Sequence, residues 1–178
     1  MRNYILAGLI LLTASFARAQ SDSKVDVFGG YSYFNQDTNG ATDRLNLNGW
    51  TASATYNFHK YLGATAEFSG EYGSPTIASV STTDHQHTFL FGPTVNFLRT
   101  DKLTLFGHAL FGVADSSLSV AGVSSTDNGF AMALGGGADY NLNKRFGVRL
   151  AQVDWMRTSV FGTDQNNFRY SGGVVVHF

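Results

Sequence analysis

The chain has 178 residues, of which 43% are hydrophobic and 14% charged, and its formal net charge is −1. It contains no cysteine, which excludes disulfide frameworks, cysteine-ligated zinc, iron–sulfur clusters and thiol nucleophiles. The balanced charge is not that of a nucleic-acid-binding domain, so we expect no nucleic-acid partner.

The first segment, Met1 to Ala19, has the pattern of a secretory signal peptide. A basic residue at position 2 precedes an apolar stretch from Tyr4 to Phe16, and Ala17-Arg18-Ala19 forms a small-x-small cleavage site. The apolar stretch is too short for a membrane helix. We therefore predict that residues 1–19 are removed on export and that residues 20–178 form one domain.

The rest of the chain alternates between large apolar and small polar residues with a period of two, which is typical of β-strands. From Gly49 to Phe58, for example, Trp50 and Tyr56 fall on one face while Thr51 and Ser53 fall on the other. The pattern predicts eight strands of roughly ten residues, a length that crosses a bilayer when the strand is tilted. The predicted strands are Val25–Phe34, Gly49–Phe58, Leu62–Tyr72, His87–Phe97, Leu103–Ala114, Phe130–Tyr140, Phe146–Trp155 and Asn167–Phe178.

Short and long connections alternate between these strands. The short ones are residues 59–61, 98–102 and 141–145, and the long ones are residues 35–48, 73–84, 115–127 and 157–165. The long segments are rich in Ser, Thr, Asn, Asp and Gly, so we expect long solvated loops there. Strict alternation places all short turns at one end, as in outer-membrane barrels with periplasmic turns and extracellular loops.

The bulky face of the strands decides between a soluble barrel and a membrane barrel. Fourteen aromatic residues share the apolar face, and the lumen of an eight-stranded barrel is too narrow to hold them. We therefore expect these rings to face lipid in an all-β, eight-stranded antiparallel up-and-down transmembrane barrel. They are Trp50, Tyr56, Phe58, Phe68, Tyr72, Phe89, Phe91, Phe97, Phe111, Phe130, Tyr140, Trp155, Tyr170 and Phe178.

With its signal peptide, eight alternating strands and C-terminal segment Ser171–Phe178, the chain resembles the small OmpA-like and OmpX-type outer-membrane barrels. The ending matches the assembly signal of that family through Ser171, Gly173, Val176 and Phe178, although an aromatic residue is common where Val176 stands. The resemblance implies recognition of the last strand by the barrel-assembly machinery. It also implies an integral protein of the outer membrane, in contact with its lipid and lipopolysaccharide.

The other face of the strands is predicted to line the lumen and to collect charged residues. Buried charges require partners, so we interpret this set as a structural ion-pair plug in a filled lumen. The alternative is a selectivity filter or a proton-linked gate. The candidate lumen residues are Asp26, Glu67, Glu71, His108, Asp139, Arg149, Asp154 and Arg169.

The seventh predicted strand breaks the alternation, because Arg149 and Asp154 would fall on opposite faces of a regular strand. A charge facing lipid near the midplane costs a few kcal/mol. We therefore predict a β-bulge near Leu150 and Ala151, where one extra residue would return both charges to the lumen.

The sequence shows no convincing site for a metal, a cofactor or catalysis. His85 and His87 lie two apart with no clear third ligand, so we expect interfacial polar residues and no metal. No nucleophile, base and orienting group form a recognisable set, so we expect no enzyme. The predicted function is structural or surface-interacting through the long loops, as a monomer. The alternatives are a narrow porin-like channel for small solutes and a lipid-modifying outer-membrane enzyme.

Overall fold

A computed structural model describes residues 24–38, 44–73, 76–77, 80–120, 123–160 and 162–178. No helix in these ranges is long and apolar enough to cross a membrane. The predicted signal peptide lies outside the described residues and stays a prediction. The strands are β1 (Val25–Gln36), β2 (Leu45–His59), β3 (Leu62–Gly73), β4 (Thr76–Ile77), β5 (Val80–Arg99), β6 (Leu103–Val120), β7 (Val123–Asn141), β8 (Phe146–Val160) and β9 (Thr163–His177).

Eight of these strands form a closed antiparallel barrel. The order β3-β2-β1-β9-β8-β7-β6-β5 is closed by pairing of β3 with β5, and β1 pairs with β9 near the two chain ends. The two-residue strand β4 pairs with β5 and extends the sheet at its edge. The predicted eight-stranded up-and-down barrel is therefore confirmed.

The short turns at one end are held by polar side chains that bind the backbone. The turn between β5 and β6 is stabilised by the N–H of Leu103, which donates to Oγ1 of Thr100 at 3.0 Å. Between β7 and β8, Asn143 Oδ1 accepts hydrogen bonds from the N–H groups of Arg145 and Phe146 at 2.8 and 2.9 Å. Asn and Thr favour such turns because their side chains replace a backbone acceptor. The three predicted short turns are confirmed.

The connections at the opposite end differ from the prediction. β6 continues to Val120 and β7 begins at Val123, so the expected loop at 115–127 is mostly strand. Similarly, β8 ends at Val160 and β9 begins at Thr163, so the expected loop at 157–165 is largely a hairpin. The prediction of long loops was wrong there because strand pairing satisfies the backbone whatever the side-chain composition.

The outward face is apolar, as expected for a surface in contact with lipid. Twelve of the fourteen predicted aromatic residues are exposed, while Trp155 and Phe178 are half-buried. On β6 the outward apolar positions run from Leu103 to Val113. Ten steps of about 3.3 Å, tilted by roughly 40°, give a band about 25 Å tall. This height matches the hydrocarbon core that such barrels cross.

The predicted bulge in β8 is confirmed. Ala151 pairs with Ala138 and Arg149 pairs with Asp139, which leaves Leu150 as the extra residue. Leu150 is 62% exposed and Ala151 is also exposed, whereas Arg149 is buried. One additional outward residue therefore restores the inward direction of the side chains that follow.

Candidate functional site

Arg169 on β9 is the centre of the charged lumen and is fully buried. Its Nη2 lies 2.7 Å from Oδ2 of Asp154 and also contacts Oε1 of Glu67, while its Nε donates to the same Asp154 oxygen at 3.1 Å. Oε1 of Glu71 lies 4.0 Å from Nη1. The two glutamates are on β3 and Asp154 is on β8, so one guanidinium connects strands across the lumen.

Asp154 has hydrogen-bond donors at both carboxylate oxygens. Nε2 of His108 lies 2.8 Å from Oδ1, and Nε2 of Gln152 donates to Oδ2 at 2.8 Å. The same amide nitrogen of Gln152 lies 3.3 Å from Oε2 of Glu67. Gln152 therefore joins two of the carboxylates that Arg169 contacts.

A second ion pair lies next to this cluster, between Arg149 and Asp139. The guanidinium donates from Nε and Nη2 to the two carboxylate oxygens at 2.7 and 3.0 Å, which is a bidentate geometry. Its Cζ lies 4.2 Å from the ring centroid of Phe28 and 4.3 Å from that of Phe106. Two aromatic faces therefore enclose the cation, an arrangement worth about 2 kcal/mol when desolvated.

Asp26 lies nearer the end of the lumen that carries the short turns. Its Oδ1 is 2.7 Å from Nδ1 of His177, and its Oδ2 accepts a hydrogen bond from Nδ2 of Asn57 at 2.7 Å. Nη2 of Arg99 lies 3.5 Å from the same Oδ2. Asp26 thus forms a separate group, with 19% of its side chain exposed.

A small cavity lies between the group around Asp26 and the Arg149–Asp139 pair. Its volume is about 20 Å³, which is room for about one water molecule. Asp26, Asp139, Arg149 and His108 line it, together with several threonines. A space of this size does not form an open pore.

An apolar layer fills the lumen toward its outer end. Phe34 lies near the outer end of β1 and Leu47 near the start of β2, and both are fully buried. The polar filling that we expected for the lumen is therefore a partial description, since hydrophobic side chains also occupy inward positions there. The layer consists of Phe34, Leu47, Leu90, Leu110, Ala114, Ala131, Ala133 and Met156.

The outer end of the molecule carries a sheet that extends beyond the apolar band. β6 and β7 remain paired from Asp115↔Asn128 to Val120↔Val123, and β5 pairs alongside β6 as far as Thr82. We call residues 80–85, 115–120 and 123–128 the projecting sheet. Pairing of β7 with β8 begins only at Ala131, so within the described residues this part of β7 pairs with β6 alone.

The neighbouring β8–β9 hairpin carries an exposed ion pair. Arg157 and Ser159 both donate to the carboxylate of Asp164. The hydrogen bond from Ser159, together with the hydrogen bond and charge of Arg157, lowers the pKa of Asp164. Because both charged side chains are about half-exposed, this pair contributes little to stability.

Seven of the eight candidate lumen residues are at most 8% exposed, and Asp26 is half-buried. Five of them form the Arg169 cluster, Arg149 pairs with Asp139, and Asp26 stands apart. Sequence reasoning missed the rings of Phe28 and Phe106. The signal was present, because each lies two residues from a predicted lumen residue and therefore on the same strand face.

The four residues of the assembly signal lie on both faces of the chain end. Ser171 is buried in the lumen, and Gly173 is half-buried against the backbone of β1. Val176 and Phe178 are half-buried. The carbonyl of Phe178 accepts a hydrogen bond from the N–H of Val25 at 3.2 Å, so the last strand pairs with the first to its end.

His85 and His87 stand at the outer edge of the apolar band, beside Tyr72. The Tyr72 hydroxyl lies 3.0 Å from Nε2 of His87, and both imidazoles pack edge-on against the Tyr72 ring. Among the described residues there is no group of three potential metal ligands. The arrangement is that of polar aromatic residues at a membrane interface.

Comparisons with solved structures support the fold. The attachment invasion locus protein Ail of Yersinia pestis matches with a TM-score of 0.61 at 15% identity, over 87% of this chain and 99% of that chain. Neisserial surface protein A (NspA) matches with a TM-score of 0.71 at 13% identity, over 89% of this chain and 100% of that chain. OprG of Pseudomonas aeruginosa matches with a TM-score of 0.56 at 14% identity, over 90% of this chain and 98% of that chain. These identities show a shared fold.

A comparison with curated proteins found no significant match. A family model for the outer membrane protein beta-barrel domain, however, matches residues 4–178. That match agrees with the closed barrel, its apolar outer band and its charged lumen. The chain is therefore an integral outer-membrane protein and belongs to the outer membrane protein beta-barrel domain family.

Proposed function

We propose that this protein is a surface-interaction protein, anchored by its barrel, that makes contacts through the projecting sheet. The observation that carries the proposal is the continuation of β5, β6 and β7 as paired strands beyond the apolar band. A paired sheet holds its side chains in fixed positions, whereas an irregular loop must be ordered on binding. This region is therefore better suited to contact another molecule than a solvated loop would be.

The partner class that suits this sheet is an extended polypeptide segment. The edge of β7 from Val123 pairs with β6 alone in the described structure, and such an edge can accept an added strand. Ser117 and Thr126 lie across from each other, with their hydroxyl oxygens 2.9 Å apart. Their polar side chains suit a contact that forms in water.

A polyanionic partner suits the outer surface poorly. Ail has been solved in complex with the heparin analogue sucrose octasulfate. In the described outer region of this chain, acidic residues exceed basic ones, with Arg44 and Arg157 as the cations. A sulfated polysaccharide would therefore meet net repulsion. We propose that this surface binds a ligand of a different class from the heparin analogue that Ail binds.

The test of the surface role is a shortened hairpin. Residues 116–127 are replaced by Asn-Gly, which joins the paired residues Asp115 and Asn128 through a favoured hairpin turn. The matched control replaces residues 159–164 by Asn-Gly, which joins Thr158 and Gln165 on the other long hairpin. Adhesion of cells that display each variant is measured on immobilised extracellular-matrix protein.

We expect adhesion by cells that display the unaltered protein, loss of adhesion with the first variant and retention with the control. Both variants should keep the heat-dependent gel mobility of a closed barrel. If adhesion is equal for the unaltered protein and the first variant, or absent for all, the proposed role of the projecting sheet is refuted.

The channel alternative has a separate test. The Arg169 cluster and the apolar layer both fill the lumen, which supports a closed barrel without steady conductance. In planar bilayers we expect no steady channels from the protein or from Glu67→Gln. Steady ion-selective channels that change with Glu67→Gln would favour the channel and count against a plug.

The remaining features of the proposal follow from the family and the sequence. The chain is exported with cleavage after Ala19, and Ser171, Gly173, Val176 and Phe178 guide recognition by the barrel-assembly machinery. The outward aromatic residues contact outer-membrane lipid and lipopolysaccharide, and the barrel is a monomer. The proposal includes no catalytic step and no cofactor.

A further inference from the structure

The end of the barrel that carries the short turns is rich in cations. Six of the twelve lysines and arginines of the chain lie in these turns or at the strand ends beside them. The acidic side chains there are Asp26 and Asp101, and the terminal carboxylate of Phe178 adds a third negative charge. The six cations are Lys24, Lys60, Arg99, Lys102, Lys144 and Arg145.

Five of these six cations are exposed and carry a free charge. Arg99 is half-buried and lies 3.5 Å from Asp26 at the mouth of the lumen. The other five side chains form no ion pair and no hydrogen bond within the described part of the chain. We call these five residues, Lys24, Lys60, Lys102, Lys144 and Arg145, the cationic rim.

Backbone hydrogen bonds hold four of the five rim residues in place. In each, the backbone carbonyl accepts a hydrogen bond from the neighbouring strand, and the four bonds bridge β1–β2, β3–β5, β6–β7 and β8–β9. The bonds are Asn57 N–H to Lys24 at 2.7 Å, Asn96 Nδ2 to Lys60 at 3.4 Å, Asn141 N–H to Lys102 at 2.9 Å and His177 N–H to Arg145 at 2.8 Å. The cations are therefore distributed around the whole barrel at every second gap between strands.

The cationic rim lies at the edge of the apolar outer surface. Tyr61 follows Lys60 in the chain, and Leu142 and Phe146 flank the pair of cations in the last turn; all three apolar side chains are exposed. Nζ of Lys60 lies 5.6 Å from the ring centroid of Tyr61. Basic side chains beside an apolar band place their charged ends at the level of the lipid headgroups.

We propose that the cationic rim binds the headgroups of anionic phospholipids in the periplasmic leaflet of the outer membrane. Short turns face the periplasm in barrels of this kind, so the rim lies in that leaflet. The phosphate of an anionic phospholipid accepts hydrogen bonds from ammonium and guanidinium groups and leaves the lipid a net negative charge. A lipid fits better than an acidic periplasmic polymer, because the cations border the apolar band on every side of the barrel.

The test is a measurement of lipid preference in bilayers. The protein is reconstituted in phosphatidylcholine with a trace of spin-labelled phosphatidylglycerol or spin-labelled phosphatidylcholine. Electron paramagnetic resonance gives the fraction of each label whose motion the protein restricts. A basic residue near the headgroups favours an anionic lipid about fivefold, so averaging over a leaflet with the rim and one without it predicts a preference of about threefold.

Variants and salt make the test specific. Replacing Lys60, Lys102, Lys144 and Arg145 together by glutamine should abolish the preference, while the backbone bonds that hold these turns remain. A matched pair of double variants, Lys144→Gln with Arg145→Gln and Arg44→Gln with Arg157→Gln, removes two exposed positive charges from either end of the barrel. Only the first of these should lower the preference. Sodium chloride at about 1 M, where the Debye length is about 3 Å, should also abolish it.

Four results would overturn the proposal. The first is equal restriction of the two lipids by the unaltered protein, and the second is a preference that persists in the fourfold variant. The third is competition by excess inorganic phosphate at constant ionic strength, which would indicate a site for free phosphate. The fourth is equal restriction of both lipids together with rim-dependent binding to purified cell-wall sacculi, which would assign the cations to an acidic polymer. Heat-dependent gel mobility confirms that each variant is folded, and none of these readouts depends on adhesion.

Discussion

The charged lumen predicts a large loss of stability when Arg169 is replaced by methionine. The substitution keeps much of the side-chain volume but removes contacts to Asp154 at 2.7 Å and to Glu67. At an effective dielectric constant of about 20, the Asp154 contact alone is a Coulomb attraction of about 6 kcal/mol before desolvation is subtracted. Breaking a buried pair by removing one partner costs about 3–5 kcal/mol in measured cases. We expect a loss in that range.

The assay is equilibrium unfolding in urea with detergent micelles. Intrinsic fluorescence reports on the membrane-facing surface, because the two tryptophans, Trp50 and Trp155, are on outward strand positions. The matched control is Arg157→Met, which removes an exposed Arg–Asp pair from the β8–β9 hairpin. An exposed pair of this kind contributes little to stability.

A double variant separates charge from packing. If the cost of Arg169→Met comes from unpaired carboxylates, adding Glu67→Gln should restore part of the lost stability, since the two positions are in contact. Equal losses for the Arg169 and Arg157 variants would refute the reasoning. So would an additive loss in the double variant.

Three further predictions follow from the strands and the lumen. Deleting Leu150 should leave a closed, heat-resistant barrel, because the deletion removes the bulge and keeps the inward direction of the residues that follow. Deleting the outward Tyr170 from β9, which has no bulge, should prevent assembly, because it turns the neighbouring side chains to the wrong face. Heat-dependent gel mobility distinguishes the two results. Leu110→Ala in the apolar layer should cost about 2–5 kcal/mol in urea unfolding, because the site is fully buried. In a side-chain NMR titration, the lowered pKa of Asp164 should rise toward its usual value in Arg157→Met. The small stability that the Arg157–Asp164 pair adds is present above the pKa of Asp164 in the unfolded chain. It is lost as the pH falls through the lowered pKa of Asp164 in the folded protein.

The alternation of residues predicted the barrel because the side-chain period of a strand is two and the two faces meet different surroundings. The same reasoning located the bulge, since Arg149 and Asp154 cannot both avoid lipid on a regular strand. These features depend on local geometry and on the cost of a charge in hydrocarbon. Both can be read from one sequence.

The partners of the lumen charges could not be predicted in the same way. Arg169 contacts Glu67 across the lumen, and the two residues are 102 positions apart in the chain. Such a contact depends on the stagger of strands around the barrel, which alternation leaves open. The apolar layer around Phe34 was missed for a related reason, because an inward position can hold either a charge with a partner or a hydrophobic side chain.

The projecting sheet shows what composition does and does not indicate. Inside the barrel each strand has one face in lipid and one in the lumen, so its residues alternate. Beyond the band, the outward faces of β5, β6 and β7 no longer meet lipid. Residues such as Asp115 and Thr126 therefore meet water, and polar residues replace the alternation.

The Ser- and Thr-rich composition of 115–127 therefore does not imply a loop, because paired strands run through most of this range. Pairing persists because strands that leave a barrel side by side already have their backbones in register, so each further pair adds hydrogen bonds at little entropic cost. The paired strands carry exposed polar residues such as Asp115 and Thr126 on their outward face, and a surface contact of the proposed kind would use these residues.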